Sequence, residues 1–172
     1  MKKILIAALV LVLTGCVAPV PKHTLTTTFN EKEAAALMQP GANTIRGSAL
    51  IRQNNGGVVT CAGNPVYLVP ATNYALERFQ AIYKNTGRGY YRQVAPQTES
   101  HFTNDDPSYY KSARPTTCDA LGFFKFDNLS DGSFFLVTTI QWRVNNYLLE
   151  GGSLMLRVNV KGGETKEVTL TP

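Results

Sequence analysis

Histidine, tryptophan and cysteine are scarce in this chain of 172 residues, with two, one and three copies. The two histidines, His23 and His101, stand in no ligand-like spacing, so no metal site is predicted. Three cysteines are too few for a disulfide-built scaffold or a four-cysteine cluster. Dense Lys/Arg runs are missing and the net charge of +5 is mild, so nucleic acid is not an expected partner. Cofactor signatures are missing as well. Gly87-Arg88-Gly89 is too short for a phosphate loop and lacks its strand-to-helix setting. Asp105 and Asp106, near Asn104 and Ser108, have no EF-hand spacing and read as an acidic turn before Pro107. No Gly-x-Ser-x-Gly elbow exists, and Glu99, Ser100 and His101 are sequence neighbours whose side chains point different ways. The chain is therefore expected not to be an enzyme; a hydrolase built on His101 is the alternative from that class.

Only one long apolar run is present, over residues 4–13. Ten residues cannot span a bilayer, which needs about 20. With Lys2 and Lys3 ahead of it, the run has the length of a signal-peptide core. It ends in Leu13-Thr14-Gly15-Cys16, which resembles the bacterial lipobox. That resemblance implies a signal peptide over 1–15, cleavage between Gly15 and Cys16, and diacylglyceryl and acyl chains on Cys16. Several chains on one residue hold a membrane firmly where one chain holds reversibly. The class also implies that Val17, in place of an aspartate, directs the protein to the outer membrane facing the periplasm. With Cys16 lipidated, Cys61 and Cys118 are an even pair in an oxidising compartment. A disulfide is their expected state, with free thiols or a metal pair as alternatives.

Residues 16–28 carry Pro19, Pro21 and several threonines without an apolar face and read as a flexible tether. A single domain is expected over 29–172. Its first element is a short helix over 30–39, with Asn30 as N-cap, Glu33 in capping-box position and Pro40-Gly41 as the stop. From Thr44 the apolar period becomes two. Strands are predicted around 45–51, 58–61, 65–70, 121–126, 133–143 and 154–160, with 168–170 as hairpin partner across Lys161-Gly162-Gly163-Glu164. On 133–143 the residues Phe134, Leu136, Ile140 and Trp142 should share one face. Between them lies an insertion over 71–117: a helix over 73–83, from Leu76, Phe79, Ile82 and Tyr83, then a long loop over 84–117. About seven strands with one or two short helices argue a mainly β, antiparallel β-sandwich.

Three segments resemble the carboxypeptidase regulatory-like domain, a prealbumin-like (transthyretin-like) sandwich. They are Arg46-Gly47-Ser48-Ala49-Leu50, the stretch 63–70 (Gly-Asn-Pro-Val-Tyr-Leu-Val-Pro), and the stretch 119–134 containing Gly122-Phe123-Phe124-Lys125-Phe126 and Asn128-Leu129. The resemblance spans about residues 44–142 and implies a non-catalytic spacer or binding module. Ser130-Asp131 departs from the family's proline-containing turn, and 71–117 is longer than its loop. The remaining signal is aromatic. Tyr90-Tyr91-Arg92 and Tyr109-Tyr110 sit at two ends of the expected loop and form a candidate recognition surface, because tyrosine with arginine gives stiff contact area and hydrogen bonds. The alternative is that these rings pin the loop to the sandwich. The function expected from all this is an accessory or assembly component, membrane-held through Cys16, that binds another envelope protein. A lipoprotein like the small one of type VI secretion, or a glycan- or peptidoglycan-binding module, are the alternatives.

Overall fold

Alternation builds the first layer. The computed structural model describes residues 22–93, 101–144 and 148–172. Its elements begin β1 (Lys22–His23), α1 (Glu31–Leu37), β2 (Asn43–Arg52), β3 (Val58–Thr60), β4 (Pro65–Pro70) and α2 (Asn73–Tyr83). They continue β5 (Arg88–Arg92), β6 (His101–Phe102), α3 (Pro107–Lys111), β7 (Arg114–Thr117), β8 (Phe123–Leu129), β9 (Gly132–Arg143), β10 (Leu149–Val160) and β11 (Thr165–Leu170). The expected signal peptide, Gly15 and the lipid-bearing Cys16 lie outside the described residues.

Every second residue of β2 from Asn43 to Ile51 is buried, the period-two signature of a half-covered strand. β2 pairs β11 along one edge and β8, then β3, along the other. The second sheet has the order β5-β10-β9-β4-β7. The two pack face to face as a mainly β sandwich, with Ile45, Ala49, Phe124 and Phe126 of one against Val66, Leu68, Phe134, Leu136, Ile140 and Leu154 of the other. Trp142 lies half-buried against this core, completing the predicted face of β9. Fully burying a side chain such as Phe126 or Phe134 contributes about 1.5–3 kcal/mol.

Three expectations need correcting. The turn at 161–164 does not close a hairpin: it carries the chain to the other sheet, where β11 runs parallel to β2. Val168 and Leu170 alternate correctly, but alternation does not name the partner strand. The expected loop 84–117 holds β5, β6, α3 and β7. These are two to five residues long, too short for periodicity to register. The third concerns the tether, whose residues 22–28 are docked. β1 runs parallel to β6. Asn104 clasps Leu25, accepting from its N–H and donating to its carbonyl, both at 2.8 Å. Glu77 of α2 accepts four hydrogen bonds, from the backbone N–H and hydroxyl of both Thr26 and Thr27, at 2.6–2.9 Å. The polar threonines that suggested a free linker are ligands for that carboxylate.

Both helices stand where their signals placed them. Asn30 caps α1 through the N–H groups of Lys32 and Glu33. Glu33 does not close a capping box; it accepts instead from the N–H of Asn73 at the start of α2. The Cys61–Cys118 disulfide is present. It ties the end of β3 in one sheet to the end of β7 in the other, and both cysteines are buried.

Two predictions follow from these ties. Replacing both Cys61 and Cys118 by alanine should cost about 4 kcal/mol in denaturant unfolding, the chain-entropy value for a 57-residue separation. A loss below about 1 kcal/mol would show that packing alone holds the sheets in register. The hydrogen bonds from Thr27 and Thr26 lower the Glu77 pKa from 4.5 to about 2. The folded state thus favours the carboxylate, so the clasp is fully formed above the ordinary glutamate range and weakens as pH falls from about 4.5 toward about 2. Intrinsic-rate-corrected exchange protection of the Thr26 and Thr27 amides should fall over that window, and Glu77→Gln should lower it at neutral pH.

Candidate ligand groove on the helix-covered sheet

The outer face of the five-stranded sheet is covered only in part. At one end, Val69, Phe135 and Met155 pack under Tyr74, Ala75 and Phe79 of α2 and Tyr109 of α3. Phe79 and Phe135 meet at 4.2 Å between ring centroids. Beyond the helix the sheet opens into a groove of about 600 Å³. Tyr67, Tyr91, Tyr110, Tyr83 and Gln93 line it together with Arg78.

Each side chain arrives by strand or helix geometry. Tyr67 is the outward residue between buried Val66 and Leu68 on β4 and is 42% exposed. Tyr91 alternates outward on β5, and Ser153 is its partner on β10. Tyr110 projects from α3, 57% exposed. The Tyr83 hydroxyl shares a hydrogen bond of 2.6 Å with Ser153 Oγ. Its side chain lies over Gly89, where a Cβ would come within 2.5 Å of the Tyr83 Cβ and 2.6 Å of its ring, so a glycine is required there.

Arg78 braces the wall. It is buried on α2, with its guanidinium carbon 4.1 Å from the Phe102 ring centroid and 4.5 Å from that of Tyr109. Asp105 neutralises it in an ion pair. Arg78 Nη2 donates to the Tyr110 hydroxyl at 2.9 Å, and that hydroxyl donates to Asp105 Oδ2. The Tyr74 hydroxyl donates to Asp105 Oδ1 at 3.0 Å. Asp106 caps α3 through Ser108 N–H. The acidic pair read from the sequence is thus one counter-ion and one helix cap. Burial, the largest cause, raises the Tyr110 and Tyr109 phenols, and pushes Tyr83 up to about 12 against its hydrogen bond to Ser153. These groups stay neutral near pH 7 and serve as hydrogen-bonding phenols.

The candidate recognition residues separate. Tyr91, Tyr109 and Tyr110 line the groove. Tyr109 is 7% exposed and packs edge-on against Phe29, which makes it chiefly a pin. Tyr90 faces the other way and packs on the sandwich core. Arg92 is exposed, 3.9 Å from Glu150. Sequence reading missed Tyr67, Arg78 and Gln93. Tyr67 alone carried a signal, an aromatic residue at an outward strand position. His101 pairs with Lys22 through β6; Glu99 and Ser100 lie outside the described residues. Among the described residues no three His, Cys, Asp or Glu side chains are grouped to hold a metal ion.

No protein-family model and no curated protein matches the chain. Among solved structures it is similar to the crystal structure of a "putative carbohydrate binding protein" from Pseudomonas aeruginosa. The two are 26% identical with a TM-score of 0.69, over 85% of this chain and 99% of that one.

Removing the counter-ion tests the brace. Asp105→Asn should lower unfolding free energy by about 3 kcal/mol, because it strands a buried guanidinium. The double variant Arg78→Met, Asp105→Leu should recover most of the loss. A single-variant loss below about 1 kcal/mol would mean that solvent already screens the pair.

Proposed function

We propose that the chain is a non-catalytic carbohydrate-binding module whose groove receives a glycan on Tyr67, Tyr91 and Tyr110, and that lipid on Cys16 holds it in the cell envelope. The observation that carries this reading is the groove itself. The exposed rings of Tyr67 and Tyr110 and the half-buried Tyr91 stand around a polar floor of Thr139, Ser153 and Gln93. A sugar ring presents apolar C–H faces and a hydroxyl rim, so flat rings beside short polar side chains complement it. The likeness to the Pseudomonas protein supports the same ligand class. A non-catalytic role is in keeping with the lining. Glycoside hydrolysis needs two carboxyl groups across the scissile bond, and the described residues of the groove offer none. Export is supported by the disulfide, which belongs to oxidising compartments. The carboxypeptidase regulatory-like resemblance agrees with a binding role for the sandwich.

A protein partner is the second reading. Leu121 and Phe123, 73% and 54% exposed, favour it, since large apolar side chains held in water mark contact surfaces.

An array of oligosaccharides probed with the full chain, followed by titration of the best binder, decides between them. Tyr67→Ala and Tyr110→Ala should each weaken binding about tenfold, a loss of about 1.4 kcal/mol. Tyr67→Ala should leave the melting temperature unchanged, because its ring is not in either core. Retention of glycan affinity by both variants, or its loss in Leu121→Ser instead, would overturn the groove assignment.

A further inference from the structure

Three rows of side chains cross the outward face of β9, β10 and β5. The first, Val137–Met155–Gly89, runs toward the helix. The second, Thr139–Ser153–Tyr91, forms the groove floor. The third pairs Gln141 with Gly151. There the ladder runs one residue past β5, with Gln93 N–H donating to the Gly151 carbonyl at 3.0 Å. Gly151 stands between the two glutamines with a φ of 110°. A Cβ there would come within 2.1 Å of the Ile140 carbonyl oxygen. Over this bare stretch of backbone, Gln141 Nε2 donates to Gln93 Oε1 at 3.2 Å. That bond uses only part of the donor and acceptor capacity of two primary amides. Gln93 lines the groove, and Gln141 fixes how its amide is turned.

Charge also limits what the groove can hold. Arg78 is the ionised side chain among the described lining residues. Its side chain is 6% exposed, with Nη1 on Asp105 and Nη2 on the Tyr110 hydroxyl. An acidic sugar would have to compete with Asp105 for this buried charge. Arg143 follows Gln141 on the outward face of β9, exposed and outside the described lining, and the remaining cations nearby are engaged or lie apart. Lys84 donates to the Ala81 carbonyl at the end of α2. Arg92 lies beside Glu150. Lys111 lines a separate cleft with Phe29 and Met38. Recognition of a carboxylate wants an available guanidinium or ammonium, and the groove presents phenols, hydroxyls and an amide instead.

We infer that the groove is selective for neutral glycans, and that Gln93, oriented by Gln141, reads their hydroxyl groups. This deepens the carbohydrate reading and depends on it. An array of neutral oligosaccharides and uronate-bearing counterparts of the same length and linkage, probed with the full chain at low salt, gives the first test. Neutral members should bind at least tenfold more tightly. Gln93→Ala should reduce that affinity about tenfold with an unchanged melting temperature. Gln141→Ala should give a smaller loss, and Gln141→Asn should restore part of it, since a shorter amide can still bond the same partner. Uronate binding that equals or exceeds neutral binding would overturn the selectivity while leaving the carbohydrate reading intact. Unchanged affinity in Gln93→Ala would overturn the role of the amide. Absence of binding to every member would remove both readings together.

Discussion

The stretch 134–138 of strand β9 is covered on both faces, and most of the molecule is arranged around that fact. Its inward residues Phe134, Leu136 and Ile140 fill the sandwich, while Phe135 and Val137 face the opposite way into a second apolar layer. A strand so placed must be central, and β9 lies between β10 and β4 in the five-stranded sheet. An outward Phe135 also demands a cover. α2 supplies it, followed by α3 and the docked segment around Leu25 and Phe29. The helices of the insertion after β4 thus supply the third layer of the fold, without which one face of the central strand would be left in water.

That layer is held by polar chemistry as much as by apolar area. Arg78 lies among Tyr74, Phe102, Tyr109 and Tyr110 with Asp105 as counter-ion. Glu77, its neighbour on α2, holds Thr26 and Thr27. Consecutive residues of one helix therefore fasten two different segments, the chain before α1 and the turn before α3. A buried pair of this kind contributes little net stability against an apolar replacement, but breaking it is costly. Its consequence here is positional: the bond to Arg78 fixes the Tyr110 hydroxyl, and so fixes one ring of the groove.

The sandwich was legible in the sequence because its strands alternate. β2 and β8 expose one face and bury the other, and the N-cap Asn30 starts a helix at Glu31. The cysteine pair was legible from its even count once Cys16 is set aside and from the oxidising compartment expected for the chain. Of the third layer α2 was legible from its helical period, but β6 and α3, two and five residues long, were not, and the edge strand β7 was equally hidden by its four residues. The docking of 22–28 was hidden for another reason. Threonines that hydrogen-bond to a carboxylate 50 residues away have the same local composition as threonines in a solvated linker. The aromatic signal was half legible: tyrosine doublets pointed to the right region, but alternation sends Tyr90 and Tyr91 to opposite faces of β5.

The place of the groove follows from a difference in length. α2 has 11 residues and so covers about 16 Å, while the 12 residues of β9 extend about 40 Å. A helix of that length cannot cover the whole outward face. The sequence of β9 changes character accordingly. Its outward positions run Phe135, Val137, then Thr139, Gln141 and Arg143. The apolar pair lies under the helix, and the polar residues begin where the helix ends. On the neighbouring strands the same boundary separates Met155 from Ser153, and Gly89 from Tyr91 and Gln93. Had the uncovered stretch been apolar, it would need a partner surface to leave water. It is instead a polar floor bordered by rings, wettable when empty and complementary to a ligand that is itself both hydroxylated and flat-faced. The same mismatch that leaves the sheet uncovered thus gives the exposed part its chemistry.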